Sequence, residues 1–371
     1  MIVMNLKLDN FLLFNDFEIN MSYPKKIVGS SIDAEYLSTR PNFRYKKLVI
    51  LMGANATGKT ALGRVLMGIC NFIKRKEYNT LVNLIEDVTK TASFEMDFIA
   101  EENVLYRITA TISPSKDISY YSDNIRVCVK KVNILMKDNY ERCAARLDEL
   151  SCESSSNYIV ELEKIPSLSW MFEYPFASEG KQQIVRPANL IMYQKYLEVV
   201  LKSLDPRINA VKQVEGAEGT YLIMRDSGAI IIENGELKSP EKLSSGTQEG
   251  IGLANILVNM KLHACNFYYC DEKFSHIHSE VERAFLSLFV NLLDSDEQLF
   301  FTTHNLDVLD MEFPLHSFAF MRRDEFGNYP PSCVFASEYI KKNNVSLRAA
   351  VENDIFSASP DVSEIFRINE M

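Results

Sequence analysis

Residues 53–60 read Gly53-Ala54-Asn55-Ala56-Thr57-Gly58-Lys59-Thr60, set between the apolar run Lys47-Leu-Val-Ile-Leu-Met52 and the apolar-rich stretch Ala61–Phe72. The first flank fits a buried strand and the second an apolar-rich helix. The order strand, glycine loop, helix aims backbone N–H groups and a helix N-terminus at one point, which makes a cradle for phosphates. In such a cradle Gly53, Asn55, Ala56, Thr57 and Gly58 line the loop, Lys59 reaches the β- and γ-phosphates, and the Thr60 hydroxyl ligates Mg²⁺. Glycine fills 14 of 371 positions, so the bare pattern arises by accident in roughly one such chain in several hundred. The flanking elements make accident rarer still.

Three later stretches complete a set. Phe267-Tyr-Tyr-Cys-Asp271-Glu272 is an apolar strand ending in two acids. It delivers Asp271 to the Mg²⁺ shell and leaves Glu272 to orient or deprotonate an attacking water. Leu243-Ser-Ser-Gly-Thr-Gln248 precedes the apolar helix Ile251–Met260 and puts Ser244 and Gly246 at a helix N-terminus, where an anion is favoured and where serine is also a simple cap. Gln298-Leu-Phe-Phe-Thr-Thr-His304-Asn305 is a short strand followed by a histidine that can contact a γ-phosphate or hold water. Each of the three alone has a plain structural explanation. In this chain order, with the last three within about 60 residues of one another, they read as one catalytic set: Lys59, Glu272 and His304 for chemistry, Thr60 and Asp271 for metal.

Elsewhere the pattern is coarser. Residues 2–20 alternate around Asp9-Asn10 as two short antiparallel strands, and Ser22–Tyr45 reads as loop. Residues 92–112 form a hairpin turning at Glu101-Glu102-Asn103, and 220–233 a second hairpin across Asp226-Ser-Gly228. Ile191–Leu204 and Glu280–Leu293 have helical character, as does Lys130–Leu150. The expected division is an ATPase lobe at 1–112, a helical insertion at 113–186, a second lobe at 187–312 and a C-terminal segment at 313–371. Lys341–Arg348 and Val362–Phe366 in that last segment read as an oligomerisation or docking tail, or as plain surface. Heptads are not sustained, so no long coiled-coil arm is expected.

Composition sets outer bounds. A net charge of -10 and a pI near 5.2 count against a nucleic-acid-coating surface, though Lys74-Arg75-Lys76 and Lys130-Lys131 are short basic clusters. Seven scattered cysteines without a C-x-x-C pair read as reduced thiols. No stretch suits a signal peptide or a membrane span. A cytoplasmic location without membrane contact follows as an expectation.

The four motifs resemble those of the ABC-type ATPase superfamily, on the branch of RecF, SMC and OLD-like ATPases. Leu243-Ser-Ser-Gly-Thr stands where transporters carry Leu-Ser-Gly-Gly-Gln. Asp271-Glu272-Lys-Phe-Ser-His-Ile-His278-Ser-Glu280 is similar to the Asp-Glu-x-x-x-x-x-His-x-Glu run of OLD-like proteins, and Thr302-Thr-His-Asn305 to their switch. Asn10-Phe11 with Phe14, and Leu204-Asp-Pro-Arg-Ile208, add to the likeness, which covers about 1–112 and 187–312. The resemblance implies an α/β P-loop NTPase with an ABC-type head: a mixed core sheet flanked by helices, with antiparallel N-terminal strands. It implies ATP and Mg²⁺ as ligands. It also implies a homodimer or higher homo-oligomer in which Ser244 and Gly246 of one copy face the phosphate loop of another. There are departures: His276-Ile-His278 occupies the place of the transporters' D-loop aspartate, and the Q-loop glutamine is Gln182, Gln183 or Gln194. Only 67 residues (371 minus 304) follow His304, too few for the Toprim nuclease of fused OLD proteins. Two expectations result. The first is a sensor or switch ATPase of anti-phage defence acting on a separate nuclease or toxin, as in PARIS, Septu and some retrons. The second is a RecF-like or SMC-like ATP-dependent DNA-binding protein of DNA repair.

Overall fold

The computed structural model describes residues 1–114, 122–152, 157–175, 189–233, 235–322, 330–341 and 346–359. Its centre is a strand, Leu48–Met52, whose five residues are all buried. Such a strand needs apolar side chains on both faces, because both faces are covered. Its odd and even positions divide accordingly: Val49 and Leu51 enter one core, and Leu48, Ile50 and Met52 another. In chain order this strand is β5. It follows β1 (Ile2–Asp9), β2 (Phe17–Asn20) and the small hairpin β3 (Tyr36–Leu37) and β4 (Arg40–Arg44).

Helix α1 (Lys59–Arg75) leaves β5 through the glycine loop and buries Leu62, Val65, Leu66, Ile69, Phe72 and Ile73 in the first of those cores. Across that core lies a five-stranded antiparallel sheet. After the short α2 (Asn79–Val82), β6 (Ala92–Glu101), β7 (Val104–Ile112) and β8 (Ile125–Asn133) join β1 and β2 in the order β2-β1-β6-β7-β8. Helices α3 (Tyr140–Glu149) and α4 (Tyr158–Leu162) follow, then strand β9 (Trp170–Glu173).

The second core is covered by α5 (Leu190–Leu204), by the four-stranded sheet β10 (Ile208–Gln213), β11 (Thr220–Arg225), β12 (Gly228–Glu233) and β13 (Glu236–Leu237), and by α6 (Ser245–Lys261). Strand β14 (Phe267–Asp271), α7 (Ser279–Leu292), β15 (Gln298–Thr302), β16 (Phe318–Arg322) and β17 (Ser332–Phe335) then complete a six-stranded sheet in the order β17-β16-β5-β15-β14-β9. All its pairings are parallel except β16 with β17. The described chain closes with α8 (Ala336–Tyr339) and α9 (Leu347–Glu352).

The segment 113–186 departs from expectation in three ways. It carries α3 and α4, but also β8, which finishes the N-terminal sheet, and β9, which pairs with β14 from Phe267↔Trp170 to Cys270↔Glu173. Lys130–Asn133 is strand rather than helix; burial alternates along Ile125–Val129, and the helix begins only where Asn139 caps it by accepting from the Arg142 N–H at 3.2 Å. Finally, Cys128 on β8 and Cys152 are joined in a disulfide, so the reading of seven reduced thiols is corrected at these two positions. Scattered spacing concealed a pair that the fold brings together. Gln182, Gln183 and Val362–Phe366 lie outside the described residues; Gln194 donates through Nε2 to the Val211 carbonyl at 2.9 Å.

Candidate nucleotide-binding site

The loop after β5 is held in a conformation that two of its residue types require. Gly53 has φ +145° and Gly58 φ +112°, and a Cβ on Gly53 would meet the Met321 carbonyl oxygen at 2.4 Å. Ala56 also adopts positive φ, at 61°. Asn55 and Ala56 are exposed at the crest, while the Thr57 hydroxyl donates to the Ala54 carbonyl at 2.8 Å and braces the turn. Lys59 is buried. Its ammonium lies 3.0 Å from the Gly53 carbonyl, 3.1 Å from that of Ala54 and 3.5 Å from Glu272 Oε1.

The parallel register of β5, β15 and β14 brings three motif ends side by side. The Thr60 hydroxyl donates to Asp271 Oδ2 at 2.7 Å and the Thr302 hydroxyl to Asp271 Oδ1 at 2.8 Å. Burial raises the Asp271 carboxyl above its usual range, against the lowering effect of those two hydroxyls. A hydroxyl and a carboxylate so close are hard oxygen donors, the set that Mg²⁺ takes. Thr302 Oγ1 also accepts from the Glu272 N–H at 2.9 Å, so one hydroxyl supports both acids.

Glu272 sits at φ +43°, rare for a residue with a side chain. Its Oε1 lies 2.9 Å from His304 Nε2. The bond from His304 holds the Glu272 carboxyl below its ordinary range, with burial opposing and Lys59 assisting. The carboxylate is therefore ionised at neutral pH. Lys59, Thr60, Asp271, Glu272 and His304 thus form one cluster.

Ser244 and Gly246 lie apart in their bonding. Ser244 caps α6, accepting from the Thr247 N–H at 3.2 Å, and stays exposed. Gly246 is needed where it stands, because a Cβ there would meet the His276 carbonyl oxygen at 2.5 Å. The turn that opens α6 thereby packs against the loop following Glu272.

The chain resembles, in fold, a solved SMC head bound to the C-winged helix domain of ScpA, with 14% identity, a TM-score of 0.51, and coverage of 94% of this chain and 100% of that one. The fold is that of an ABC-type ATPase head. An SMC head from Pyrococcus furiosus, with an extended coiled coil and bound to the C-terminal domain of ScpA, is 12% identical over 95% of this chain and 98% of that one, with a TM-score of 0.49. RecF with a bound ATP analogue is 10% identical over 81% and 92%, with a TM-score of 0.41. No protein-family model and no curated protein matches the sequence.

Three further residues support the cluster, and none stands out in the sequence. Thr302, one threonine of the run Thr302-Thr303, bonds both Asp271 and the Glu272 N–H. Tyr269 donates its hydroxyl to the Lys59 carbonyl at 2.6 Å. Glu282 accepts from Thr303 Oγ1 at 2.6 Å and Asn305 Nδ2 at 2.7 Å, holding the loop that carries His304. In the sequence Glu282 looks like any acid in a first helical turn; only its burial distinguishes it. Glu280, quoted for the OLD-like run, is exposed.

Proposed function

We propose that this chain binds ATP in the 53–60 loop and hydrolyses it in a site completed by a second copy. The convergence of Thr60, Asp271, Glu272 and His304 within hydrogen-bond distances carries the reading. Mg²⁺, held by the Thr60 hydroxyl and Asp271, would offset the charge of the β- and γ-phosphates. Lys59, now bonded to carbonyls of its own loop, turns to those phosphates. Glu272, ionised and pinned through Thr302 and His304, orients the attacking water and takes its proton. Ser244 and Gly246 of the second copy close the site over the γ-phosphate. Turnover measured for the parent and for Glu272→Gln tests the assignment: equal rates would refute the base.

We further propose that hydrolysis works a switch on a separate effector, a nuclease or toxin, in anti-phage defence. The support is the likeness of Asp271–Glu280 and Thr302–Asn305 to OLD-like ATPases. Size exclusion of the protein with the product of its neighbouring gene tests this, and a chain that never associates with that product would sink it. The DNA-repair alternative predicts binding that falls steeply between two salt concentrations. In the basic clusters Lys74 lies over the Trp170 ring at 4.8 Å, Lys76 pairs with Glu163 at 2.9 Å, Lys130 donates to the Leu147 carbonyl at 3.1 Å and Lys131 faces the Tyr106 ring at 5.7 Å, while Lys74, Arg75 and Lys131 stay exposed.

A further inference from the structure

Lys273 follows Glu272 directly, and its side chain is wholly buried. A lysine in a core is costly unless paired and hydrogen-bonded. Its ammonium lies 2.7 Å from Glu249 Oε2 on α6, 3.6 Å from Glu173 Oε2 at the end of β9, and donates to the Tyr174 carbonyl at 2.8 Å. Asn255, further along α6, donates to Glu173 Oε1 at 3.4 Å. The cluster is tight: a Cβ on Gly252 would come within 2.6 Å of Glu173 Oε2 and 2.7 Å of Lys273 Nζ.

Two buried acids share one cation. Burial raises the Glu173 carboxyl above its usual range, and although burial opposes the Lys273 charge, Glu173 and Glu249 together hold that ammonium above its ordinary range. An apolar filling of the same volume is often as stabilising as a buried ion pair, or more so. What the ionic cluster adds is one required geometry among three segments: the end of β14, the helix opened by Ser244, and the end of β9.

That geometry bears on Glu272, whose φ of +43° persists only if its neighbours are fixed. Asp271 is fixed by Thr60 and Thr302, and Lys273 by this cluster. We infer that Lys273 is a positioning residue: it locks the Glu272 carboxylate in place and ties it to α6, so that movement of the Ser244 turn is felt at the base. The inference rests on the ATPase reading above.

Lys273→Met alone strands two buried carboxylates, so the informative variant is Lys273→Met with Glu249→Leu and Glu173→Gln, which removes the cation and both anions together. That triple variant is expected to melt within a few degrees of the parent and to bind ATP with a Kd within about threefold, while kcat falls about 30-fold or more with little change in KM. Hydrogen exchange gives a second readout: adding MgATP protects residues 245–261 in the parent and not in the variant. Turnover within about threefold of the parent would overturn the inference and leave the ATPase reading intact. So would a fall in kcat matched by equal losses of binding and stability. A parent that binds no ATP overturns both.

Discussion

Glu272 gathers most of the site's physics at one residue. Its backbone is in a sparsely allowed region, its N–H is spent on Thr302, and its carboxylate faces His304 and Lys59. Replacing it by glutamine keeps the shape and removes the proposed base. Turnover is expected to fall about 10²–10⁴-fold while ATP stays bound, measured by steady-state phosphate release beside equilibrium nucleotide binding. Lys59→Ala is expected to abolish binding itself in the same assay. The lowered carboxyl of Glu272 also fixes a sign. Its folded value lies below its unfolded one, so its contribution to stability is complete above the ordinary glutamate range, near pH 4.3, and is lost as pH falls through the folded value. The melting temperatures of the parent and of Glu272→Gln should therefore differ by a constant amount above about pH 5 and converge in acid. A gap that widens on acidification would show that the carboxylate is not favoured in the folded protein. Thr302→Ala unfastens both acids at once; losing about 1–1.5 kcal/mol of bonding to the reacting geometry slows kcat roughly tenfold.

At the scale of elements, backbone contacts set the cost of change. A methyl group on Gly53 meets the Met321 carbonyl, and one on Gly246 meets that of His276. Neither partner is the free end of a flexible side chain. Gly53→Ala and Gly246→Ala are each expected to lose about 2–4 kcal/mol of stability, read from denaturant midpoints, whereas Ser244→Ala removes only a cap and loses about 1 kcal/mol. The same elements show what the sequence could disclose. The Leu48–Met52 run, the glycine loop and the strand ending at Asp271 are legible because each is local: composition, loop chemistry and order lie within a few residues. The N-terminal hairpins are legible for the same reason, by alternation and turn residues. Strands β8 and β9 are not, because a strand's place depends on which distant strand it meets. Ile125–Asn133 alternates without announcing that it pairs with Val104–Ile112. Trp170–Glu173 has only four residues, and its partner β14 lies about a hundred positions away. Glu282 and Lys273 were illegible for a related reason. A charged residue declares itself functional only through burial, and burial comes from the whole packing.

Among the described residues two large cores lie on either side of the six-stranded sheet, with the glycine loop at the strand that separates them, and a third, smaller core packs α3 on the N-terminal sheet. The core under α1 holds the loop, and the core under α5 and α6 holds the turn at Ser244. The Ser244 hydroxyl bonds only within its own turn, to Thr247 N–H and Oγ1 among the described contacts, and the residue remains exposed. If that turn works on a second copy, two defects placed on different chains must complement. A preparation of Lys59→Ala is inactive because its own loop is empty, and one of Ser244→Arg because it offers its partner no closing surface. Mixed in equal amounts and allowed to exchange, half of the dimers pair one chain of each kind. Such a dimer has one site with an intact loop and an intact closing turn, and one site with neither. Activity should recover to about a quarter of the parent's per chain, and only when exchange is permitted. Size exclusion with light scattering, in MgATP and with Glu272→Gln in both chains, should show the associated species directly. Silence on mixing, with both variants folded and exchanging, would place the whole reaction within a single chain.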